Sequence, residues 1–156
     1  MKKDMIAKEL VHLDFEVKDQ EEFFDKMADE LYQLGYVRET YKSVLKEREA
    51  NYPTALPVEP YPVAIPHADA QHIITPFIAP VRLKEPVDWC EMANNDEVHK
   101  VRFIFVLGFM KSDEHIELLQ TLVDNFQSQE LMDQLIAAKT ADEYYDLVCN
   151  MPGMDS

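Results

Sequence analysis

Apolar residues recur along this chain with two different periods, and each period predicts one kind of secondary structure. Between residues 19 and 35, Phe23, Met27 and Leu31 lie at helical spacing behind a polar start that resembles a helix cap, and Gly35 ends the pattern. This stretch therefore predicts a first amphipathic helix.

The second predicted helix, from about residue 40 to 49, carries a cation on its apolar face. Tyr41, Val44 and Leu45 share that face with Arg48, which follows one turn after the last two of them. We therefore expect the guanidinium of Arg48 to lie beside the inward stripe of the helix.

Three later stretches also show helical periodicity. The first begins at a cap formed by Ser112 or Asp113 and places its apolar residues on one side. These inward positions are Ile116, Leu119, Leu122, Val123 and Phe126. Two further helices are predicted over residues 130–138 and from the capping pattern at Thr140 to about 148. The last residues, 151–156, are expected to fray.

Nearly continuous apolar runs predict three β-strands, over residues 63–65, 77–83 and 101–109. The last run is expected to form a central strand, because it is almost uninterrupted. The segment 51–62 contains four prolines and is predicted to be an extended connector rather than a helix or a central strand. Strands among amphipathic helices predict an α/β fold with a mixed sheet flanked by helices.

A single domain is the natural expectation for 156 residues of which 47% are hydrophobic. We expect that domain to cover residues 1–156, with a core from about 5 to 149 and a tail from 150 to 156. The first residues are not followed by an apolar signal core, and no run approaches the roughly 18 apolar residues of a membrane helix. These features favour a cytoplasmic protein without direct membrane insertion.

Charge and composition restrict the classes of partner. Thirty acidic against fifteen basic residues give a formal net charge of -15, which opposes binding to nucleic acid or anionic lipid. A basic protein partner fits this charge better, although a solvated acidic surface requires no partner. Cys90 and Cys149 are expected to be reduced thiols, and three glycines exclude a Gly-rich phosphate loop.

The stretch 63–69 carries the clearest candidate chemistry, because a strand ends at Pro66 and is followed by His67. Pro66 lacks an N–H and favours extended geometry before it, so His67 is expected to begin a loop with an exposed ring. An imidazole is largely neutral near pH 7 and can act as a nucleophile toward phosphorus. Arg48 would supply a forked positive charge, and a neutral His115 at a helix start would donate a hydrogen bond to a phosphoryl oxygen. Such positioning can support phosphoryl transfer without a metal.

The same three residues also fit roles without any chemistry. Arg48 can pair with a neighbouring glutamate, and His115 and His67 can be ordinary surface histidines. His67, Asp69 and His72 also form a possible Zn²⁺ set, although no further ligands are evident.

The run Val63-Ala64-Ile65-Pro66-His67 resembles the active-histidine motif of the fructose and mannitol class of IIA proteins in the bacterial sugar phosphotransferase system. Arg48-Glu49, followed by Tyr52-Pro53-Thr54, is similar to the segment before this motif, especially in galactitol-type members. Residues 113–119 are similar to the helix that carries the second active-site histidine of the family. The resemblance covers about residue 23 to 148 in matching order.

This resemblance implies the IIA fold and a phosphotransferase that uses no cofactor or metal. His67 would accept a phosphoryl group from the phosphohistidine of the carrier protein HPr and pass it to a cysteine of a cognate IIB component. Arg48 and His115 would support the phosphohistidine, and Thr54 and Asp69 are further candidate site residues. The transported sugar would be a hexitol or related sugar, with galactitol as the best match.

The chain departs from the family pattern at Ala68 and Ala55, where many relatives have glycine, so the active-site loop is expected to be stiffer or to turn differently. Some galactitol-type members lack a histidine at the position of His115. Two alternative functions remain possible. One is a regulatory module of the same fold, in which phosphorylation of His67 changes binding to a regulator. The second is a metal-dependent hydrolase built on the Zn²⁺ set of His67, Asp69 and His72.

Overall fold

The structure is a computed structural model that describes residues 2–110 and 112–155; for residues 112–115 it describes the backbone alone. One five-stranded mixed sheet is packed between helices on both faces. The strands are β1 (His12–Phe15), β2 (Ala55–Leu56), β3 (Val63–Ala64), β4 (Phe77–Glu91) and β5 (Asn94–Gly108). The helices are α1 (Gln20–Gln33), α2 (Tyr41–Asn51), α3 (Ser112–Phe126), α4 (Gln129–Ala137) and α5 (Ala141–Cys149).

Strand β5 lies between β4, with which it pairs antiparallel, and β3, with which it pairs parallel. Strand β1 pairs parallel with β4 on the other side, and β2 pairs antiparallel with β3. The far end of β4 also contacts β2 through the Ala55–Glu91 pair. The prediction that the last apolar run forms a central strand is therefore confirmed.

Both faces of the sheet are buried, which explains the continuous apolar runs. Along β5, Ile104 and Val106 pack into the core beneath α1 and α2, whereas Phe103, Phe105 and Leu107 pack into the core beneath α3, α4 and α5. Successive side chains of a strand point to opposite faces, so a strand covered on both sides needs apolar residues at every position.

The predicted helices are confirmed, together with the caps of α1 and α5, whereas the side chains of Ser112 and Asp113, proposed to cap α3, lie outside the described residues. Asp19 accepts a hydrogen bond from the backbone N–H of Glu22 at the start of α1, and Thr140 caps α5 in the same way. One inward position is wrong: Ile116 in α3 is 75% exposed, whereas Leu122 and Phe126 of the same helix are buried. Ile116 lies in the first turns of α3, where no described element covers that face of the helix.

The strands extend further than the sequence pattern predicted. Strand β4 continues past Leu83 through an irregularity in register between Arg82 and Val87, and β5 begins seven residues earlier than expected. The connector 51–62 contains the short strand β2, and β1 has no counterpart among the predicted strands. Strand β1 pairs with a strand distant in sequence, whereas the added parts of β4 and β5 pair with each other across a short turn. The added part of β5 is largely exposed, so its apolar pattern is weak.

The C-terminal segment is packed rather than frayed, so the expectation for residues 151–155 is wrong. Met151 and Met154 are buried among the helices, and Met154 is 0% exposed. The backbone N–H of Lys3 donates to the carbonyl oxygen of Met154 at 3.0 Å. The side chain of Asn125 donates to the carbonyl oxygen of Pro152 at 2.9 Å.

A buried cation joins the sheet to the end of α4. Nη1 of Arg82 donates to three backbone carbonyl oxygens, those of Leu135, Ile136 and Ala138, at 2.7 to 3.1 Å. These carbonyls lie at the C-terminus of α4, where the helix dipole also favours a positive charge. Within the described residues, no helix has the length and apolar character needed to cross a membrane.

Candidate active site

His67 follows strand β3 and is fixed by backbone hydrogen bonds to strands on both sides. The N–H of Ile65 donates to the carbonyl oxygen of Thr54 at 3.2 Å, and the N–H of Leu107 donates to the carbonyl oxygen of Pro66 at 3.0 Å. His67 itself forms an isolated parallel bridge with Leu107 of β5. The predicted strand end is therefore confirmed, and His67 lies just beyond the end of β3, between β2 and β5.

The imidazole of His67 is only 8% exposed, so the expectation of an exposed ring is wrong. Its ring packs edge-on against Phe109, with the ring centroids 5.9 Å apart. Phe109 directly follows β5, and the bridge between His67 and Leu107 brings the two rings together. Gly108 is required between them, because a Cβ there would lie 2.3 Å from the ring of Phe77.

One hydrogen bond determines the tautomer of His67. Nδ1 lies 2.8 Å from the carbonyl oxygen of Ile65. A carbonyl oxygen only accepts hydrogen bonds, so Nδ1 carries the hydrogen and the lone pair of the neutral ring resides on Nε2. In this tautomer, Nε2 is the only ring nitrogen that could act as a nucleophile.

Arg48 lies in the last turn of α2, and its guanidinium reaches the loop that carries His67. Nη1 donates to Oδ1 of Asp69 at 3.3 Å, two residues beyond His67. The guanidinium carbon also lies 5.7 Å from the ring centroid of Tyr52. The structure thus brings Arg48 to the active-site loop through Asp69, and the neighbouring glutamates do not pair with it.

The side chain of Asp69 is 66% exposed, in contrast to the buried ring of His67. The side chain of His115 lies outside the described residues. The backbone of α3 begins at Ser112, three residues after Phe109, whose ring contacts His67. The start of α3 is therefore close in sequence to a residue that packs against the imidazole.

Thr54 is buried and takes part in a hydrogen-bond network that sequence reasoning did not predict. Its hydroxyl donates to Oε1 of Glu49 at 2.7 Å, and its backbone N–H donates to Oε2 of Glu49 at the same distance. The indole N–H of Trp89 donates to Oε2 of Glu49 at 3.0 Å. The hydroxyl hydrogen of Thr54 is therefore donated to Glu49 and not to the surface of the site. These hydrogen bonds account for the burial of the Thr54 side chain.

Glu49 is the site residue that the sequence analysis missed. Its carboxyl group is buried, and this burial raises its pKa to about 7, against the opposing effects of the Thr54 and Trp89 hydrogen bonds and of the Arg48 charge. The sequence did contain a signal for Glu49. It lies one turn after Leu45 on the apolar face of the predicted helix, so an acidic side chain at that position faces the interior.

The possible Zn²⁺ set is not assembled. Nδ1 of His72 lies 2.8 Å from the hydroxyl of Thr40, and Nε2 of His72 lies 3.2 Å from the side-chain amide of Gln71. Asp69 pairs with Arg48, and Nδ1 of His67 pairs with a backbone carbonyl. Across the described part of the chain, no three histidine, cysteine or carboxylate side chains are grouped as metal ligands.

Comparison with known proteins gives a family match over nearly the whole chain. Residues 4–151 match the model of the family described as "Phosphoenolpyruvate-dependent sugar phosphotransferase system, EIIA 2". The match includes every residue of the candidate active site.

Three curated relatives come from this system. The fructose-specific EIIABC component of Bacillus subtilis (strain 168) is 29% identical over 147 residues, which are 93% of this chain but 22% of that protein. The galactitol-specific EIIA component of Escherichia coli (strain K12) is 27% identical over 118 residues, 76% of this chain and 78% of that one. The mannitol-specific enzyme IIA component of Staphylococcus aureus (strain N315) is 28% identical over 144 residues, 90% and 92% of the two chains.

Solved structures show the same fold. The PTS IIA protein PtxA of Streptococcus mutans has a TM-score of 0.76 at 21% identity, over 96% of this chain and 94% of that one. The mannitol enzyme IIA of Escherichia coli, in a complex with its phosphorylated enzyme IIB, has a TM-score of 0.73 at 19% identity, over 92% and 96% of the chains. The predicted fold, a mixed sheet flanked by helices as in mannitol-type IIA proteins, is therefore confirmed.

Proposed function

Because this chain belongs to the EIIA 2 family of the phosphoenolpyruvate-dependent sugar phosphotransferase system, we propose that it carries a phosphoryl group on Nε2 of His67. The observation that supports this most directly is the hydrogen bond from Nδ1 of His67 to the carbonyl oxygen of Ile65. It holds the ring in the tautomer whose Nε2 can attack phosphorus, without needing a separate general base.

In the first transfer, the Nε2 lone pair attacks the phosphorus of the phosphohistidine of HPr. The Nε2–P bond forms as the P–N bond of HPr breaks, and the histidine of HPr leaves with that electron pair. Nδ1 of His67 keeps its proton, so the phosphorylated ring is cationic and the Ile65 carbonyl stabilises it. A cationic ring is a good leaving group, because it departs as neutral imidazole.

In the second transfer, a cysteine thiolate of the cognate IIB component attacks the same phosphorus. The P–S bond forms while the Nε2–P bond breaks, which regenerates the neutral tautomer of His67. Arg48 supplies a permanent charge to the phosphoryl oxygens during both transfers, once its contact with Asp69 is exchanged for the phosphoryl group. His115 is proposed as a hydrogen-bond donor to the same oxygens.

Docking of two protein partners on this face is supported by the apolar surface near it. Met110, which directly follows Phe109, is 41% exposed, and Ile116 in the second turn of α3 is 75% exposed. Exposed large apolar side chains beside a reactive group are typical of protein contact surfaces. We propose that HPr and IIB bind in turn to the surface around His67 of this single domain, residues 1–156.

For the transported sugar we propose a hexitol or related sugar, with galactitol first. The resemblance of the segment around Arg48 and Thr54 to galactitol-type proteins supports galactitol, and one relative is named for it. Relatives named for fructose and mannitol are equally similar, so transfer rates to the three cognate IIB proteins provide the test. Both cysteines are free thiols, which supports a reducing compartment such as the cytoplasm.

The central test is phosphorylation of the purified protein with phosphoenolpyruvate, enzyme I and HPr. We expect one acid-labile phosphoryl group per chain, and none in the His67→Ala variant. A phosphoryl group retained by His67→Ala would refute the assigned residue. Transfer from phospho-HPr that has first been separated from enzyme I and its Mg²⁺, in buffer containing a chelator, would exclude metal chemistry at this site.

A further inference from the structure

Glu49 is a buried carboxylate whose contacts lead to both of the groups proposed to handle the phosphoryl group. Its side chain is 5% exposed and accepts three hydrogen bonds, two from Thr54 and one from Trp89. A buried carboxyl group is costly unless its oxygens are hydrogen-bonded, and here both oxygens are. The three donors thus fix the carboxylate in one position.

A continuous series of hydrogen bonds runs from Glu49 to the imidazole. The backbone N–H of Thr54 donates to Glu49, and the carbonyl oxygen of Thr54 accepts from the N–H of Ile65 at 3.2 Å. The carbonyl oxygen of Ile65 then accepts from Nδ1 of His67 at 2.8 Å. The carboxylate therefore anchors the start of β2, and β2 in turn anchors the end of β3.

Glu49 is also the direct neighbour of Arg48 in the last turn of α2. Successive residues of a helix point in directions about 100° apart, so an anchored Glu49 fixes the direction in which Arg48 leaves the helix. One buried side chain thus determines the placement of the imidazole and of the guanidinium together.

We infer that Glu49 is a positioning residue for phosphoryl transfer, which aligns Nε2 of His67 and the guanidinium of Arg48 without touching the phosphoryl group. This role rests on the proposed function. A displacement of about 1 Å at reacting atoms can cost about 100-fold in rate, so a loosened anchor lowers the rate of the chemical step. It leaves the docking surface unchanged, because Glu49 is inside the fold.

The test is the Glu49→Gln variant, which keeps the shape of the side chain but offers one acceptor oxygen in place of two. We expect kcat for transfer from phospho-HPr to fall at least 10-fold while KM stays within 2-fold. We also expect the ¹⁵N NMR signals of the His67 ring to show a reduced fraction of the Nδ1–H tautomer. The matched control is Leu45→Ala, one turn earlier in α2, which destabilises the same core but leaves the hydrogen-bond series intact.

Wild-type rates and an unchanged His67 tautomer in Glu49→Gln would overturn the inference, and so would an equal loss of kcat in Leu45→Ala. If Glu49→Gln does not fold, Glu49→Asp, which retracts the carboxylate by one methylene, must show the same direction of change. A wild-type protein that HPr does not phosphorylate contradicts the proposed function instead. The tautomer measurement still tests the positioning role in that case.

A second feature lies at the other end of α3. A groove of about 1070 Å³ opens where the C-terminal half of α3 meets α4, α5 and the C-terminal turn. Its apolar lining comes from Leu131, Ala137, Ala138, Leu147, Met151 and Pro152. Its acidic lining comes from Asp124, Glu130, Glu143 and Asp146, and none of these four forms an ion pair with a described lysine or arginine.

Asn125 adds an acceptor to this lining. It is 7% exposed, and its side-chain nitrogen donates to the carbonyl oxygens of Thr121 and Pro152 at 2.8 and 2.9 Å. Both N–H groups of the Asn125 amide therefore donate within the fold, and the amide oxygen of Asn125 can accept a hydrogen bond from a ligand. Among the described lining residues the charged groups are all carboxylates. A complementary ligand therefore has an apolar face with positively charged groups along the edges of that face.

We propose that this groove binds a basic amphipathic helix of a partner protein. A helix that lays an apolar face into a groove is a common mode of recognition, and lysines or arginines beside that face would meet the four carboxylates. The volume is at the upper limit for small-ligand pockets, which favours a peptide segment. The groove lies along α3 beyond its first two turns, so its occupant and a partner at His67 can be bound together.

The probe is an 18-residue amphipathic peptide of leucine and lysine, compared with a scrambled peptide of equal charge. We expect the amphipathic peptide to shift amide signals of α4, α5 and residues 151–153, and to bind at least 10-fold more weakly to the Asp124→Lys/Asp146→Lys variant. The matched control, Asp96→Lys/Glu97→Lys, makes the same change in net charge at exposed positions near the start of β5 and is expected to stay within 2-fold. Equal weakening by both variants, or equal binding of the scrambled peptide, would overturn the proposal.

Discussion

Nδ1 of His67 and the carbonyl oxygen of Ile65, two residues earlier, are 2.8 Å apart and form a hydrogen bond within the active-site loop. Pro66 between them fixes the loop geometry, because its ring restricts its own φ and favours extended backbone at Ile65. A backbone carbonyl therefore holds the proton on Nδ1, which leaves Nε2 as the nitrogen that we propose to accept the phosphoryl group.

The phosphoryl group should be found on Nε2 of His67. Nδ1 is protonated and hydrogen-bonded to a carbonyl oxygen, so only Nε2 has a lone pair in the neutral ring. NMR of the ¹⁵N-histidine-labelled, phosphorylated protein distinguishes the two positions through phosphorus–nitrogen coupling. A phosphoryl group on Nδ1 would mean that the Ile65 contact does not persist in the reacting protein.

Replacing Arg48 with lysine should slow transfer from phospho-HPr by about 100-fold, because one fixed cationic fork is replaced by a point charge that cannot bind two oxygens. The free energy of unfolding should change by less than about 1 kcal/mol, because the contact with Asp69 is a largely exposed ion pair. Quench-flow rates and urea unfolding measure the two effects. Arg38→Lys at an exposed position serves as control, and equal rates in both variants would contradict the role of Arg48.

Replacing His115 with alanine should lower the transfer rate by about 10-fold or more, because the proposed donor to a phosphoryl oxygen is lost. The His115→Gln variant should recover part of that rate, since its amide can still donate a hydrogen bond. The measurement is the rate of phosphoryl transfer from phospho-HPr under single-turnover conditions. Identical rates in all three proteins would remove His115 from the mechanism.

Glu49 should make the stability of the fold depend on pH. Its pKa is about 7 in the folded protein and close to 4.5 when unfolded, so the folded state binds the proton more tightly. Its contribution therefore falls as pH rises from about 4.5 through 7, by up to about 3 kcal/mol.

Urea unfolding between pH 5 and pH 8 tests this dependence. Relative to Glu49→Gln, which cannot titrate, the wild-type protein should lose stability across that range. Glu47→Gln, an exposed neighbour with the same change in charge, should follow the wild-type profile. Parallel profiles for wild type and Glu49→Gln would show that the carboxyl group does not hold its proton near neutral pH.

Replacing Arg82 with methionine should lower the free energy of unfolding by about 3 kcal/mol, because three carbonyl oxygens at the end of α4 lose their donor. Arg102→Met, which removes one backbone contact from a half-exposed side chain, should cost less than half of that. Urea unfolding of the two variants gives the comparison. Equal losses would show that α4 does not depend on the buried guanidinium.

Local sequence patterns correctly predicted the features whose contacts lie within one short segment of the chain. The caps at Asp19 and Thr140 and the strand end at Pro66 all depend on residues within a few positions of one another. Sequence reasoning located His67 and Arg48 for the same reason. It did not predict that Arg48 contacts Asp69, 21 residues away, because that distance is set by how α2 packs against the loop.

Partners distant in sequence account for what the pattern missed. Strand β1 pairs with β4, more than 60 residues further along the chain, and Trp89 reaches Glu49 across 40 positions. The C-terminal turn was expected to fray because the last residues of a domain are poorly ordered unless they are tied down, but Met154 is buried in the core beneath the helices. None of these contacts leaves a periodic signal in the segment itself.

Short-range patterns were enough to predict the class of fold and the order of its helices, because apolar period, caps and a proline act over short distances. The same patterns, together with the resemblance to IIA proteins, singled out His67 as the histidine that we propose to carry the phosphoryl group. The folded chain was needed to learn that His67 is mostly buried, that its Nδ1 bonds to the carbonyl oxygen of Ile65, and that Glu49 is linked to both His67 and Arg48. These properties depend on hydrogen bonds between strands and helices that meet only after the chain has folded.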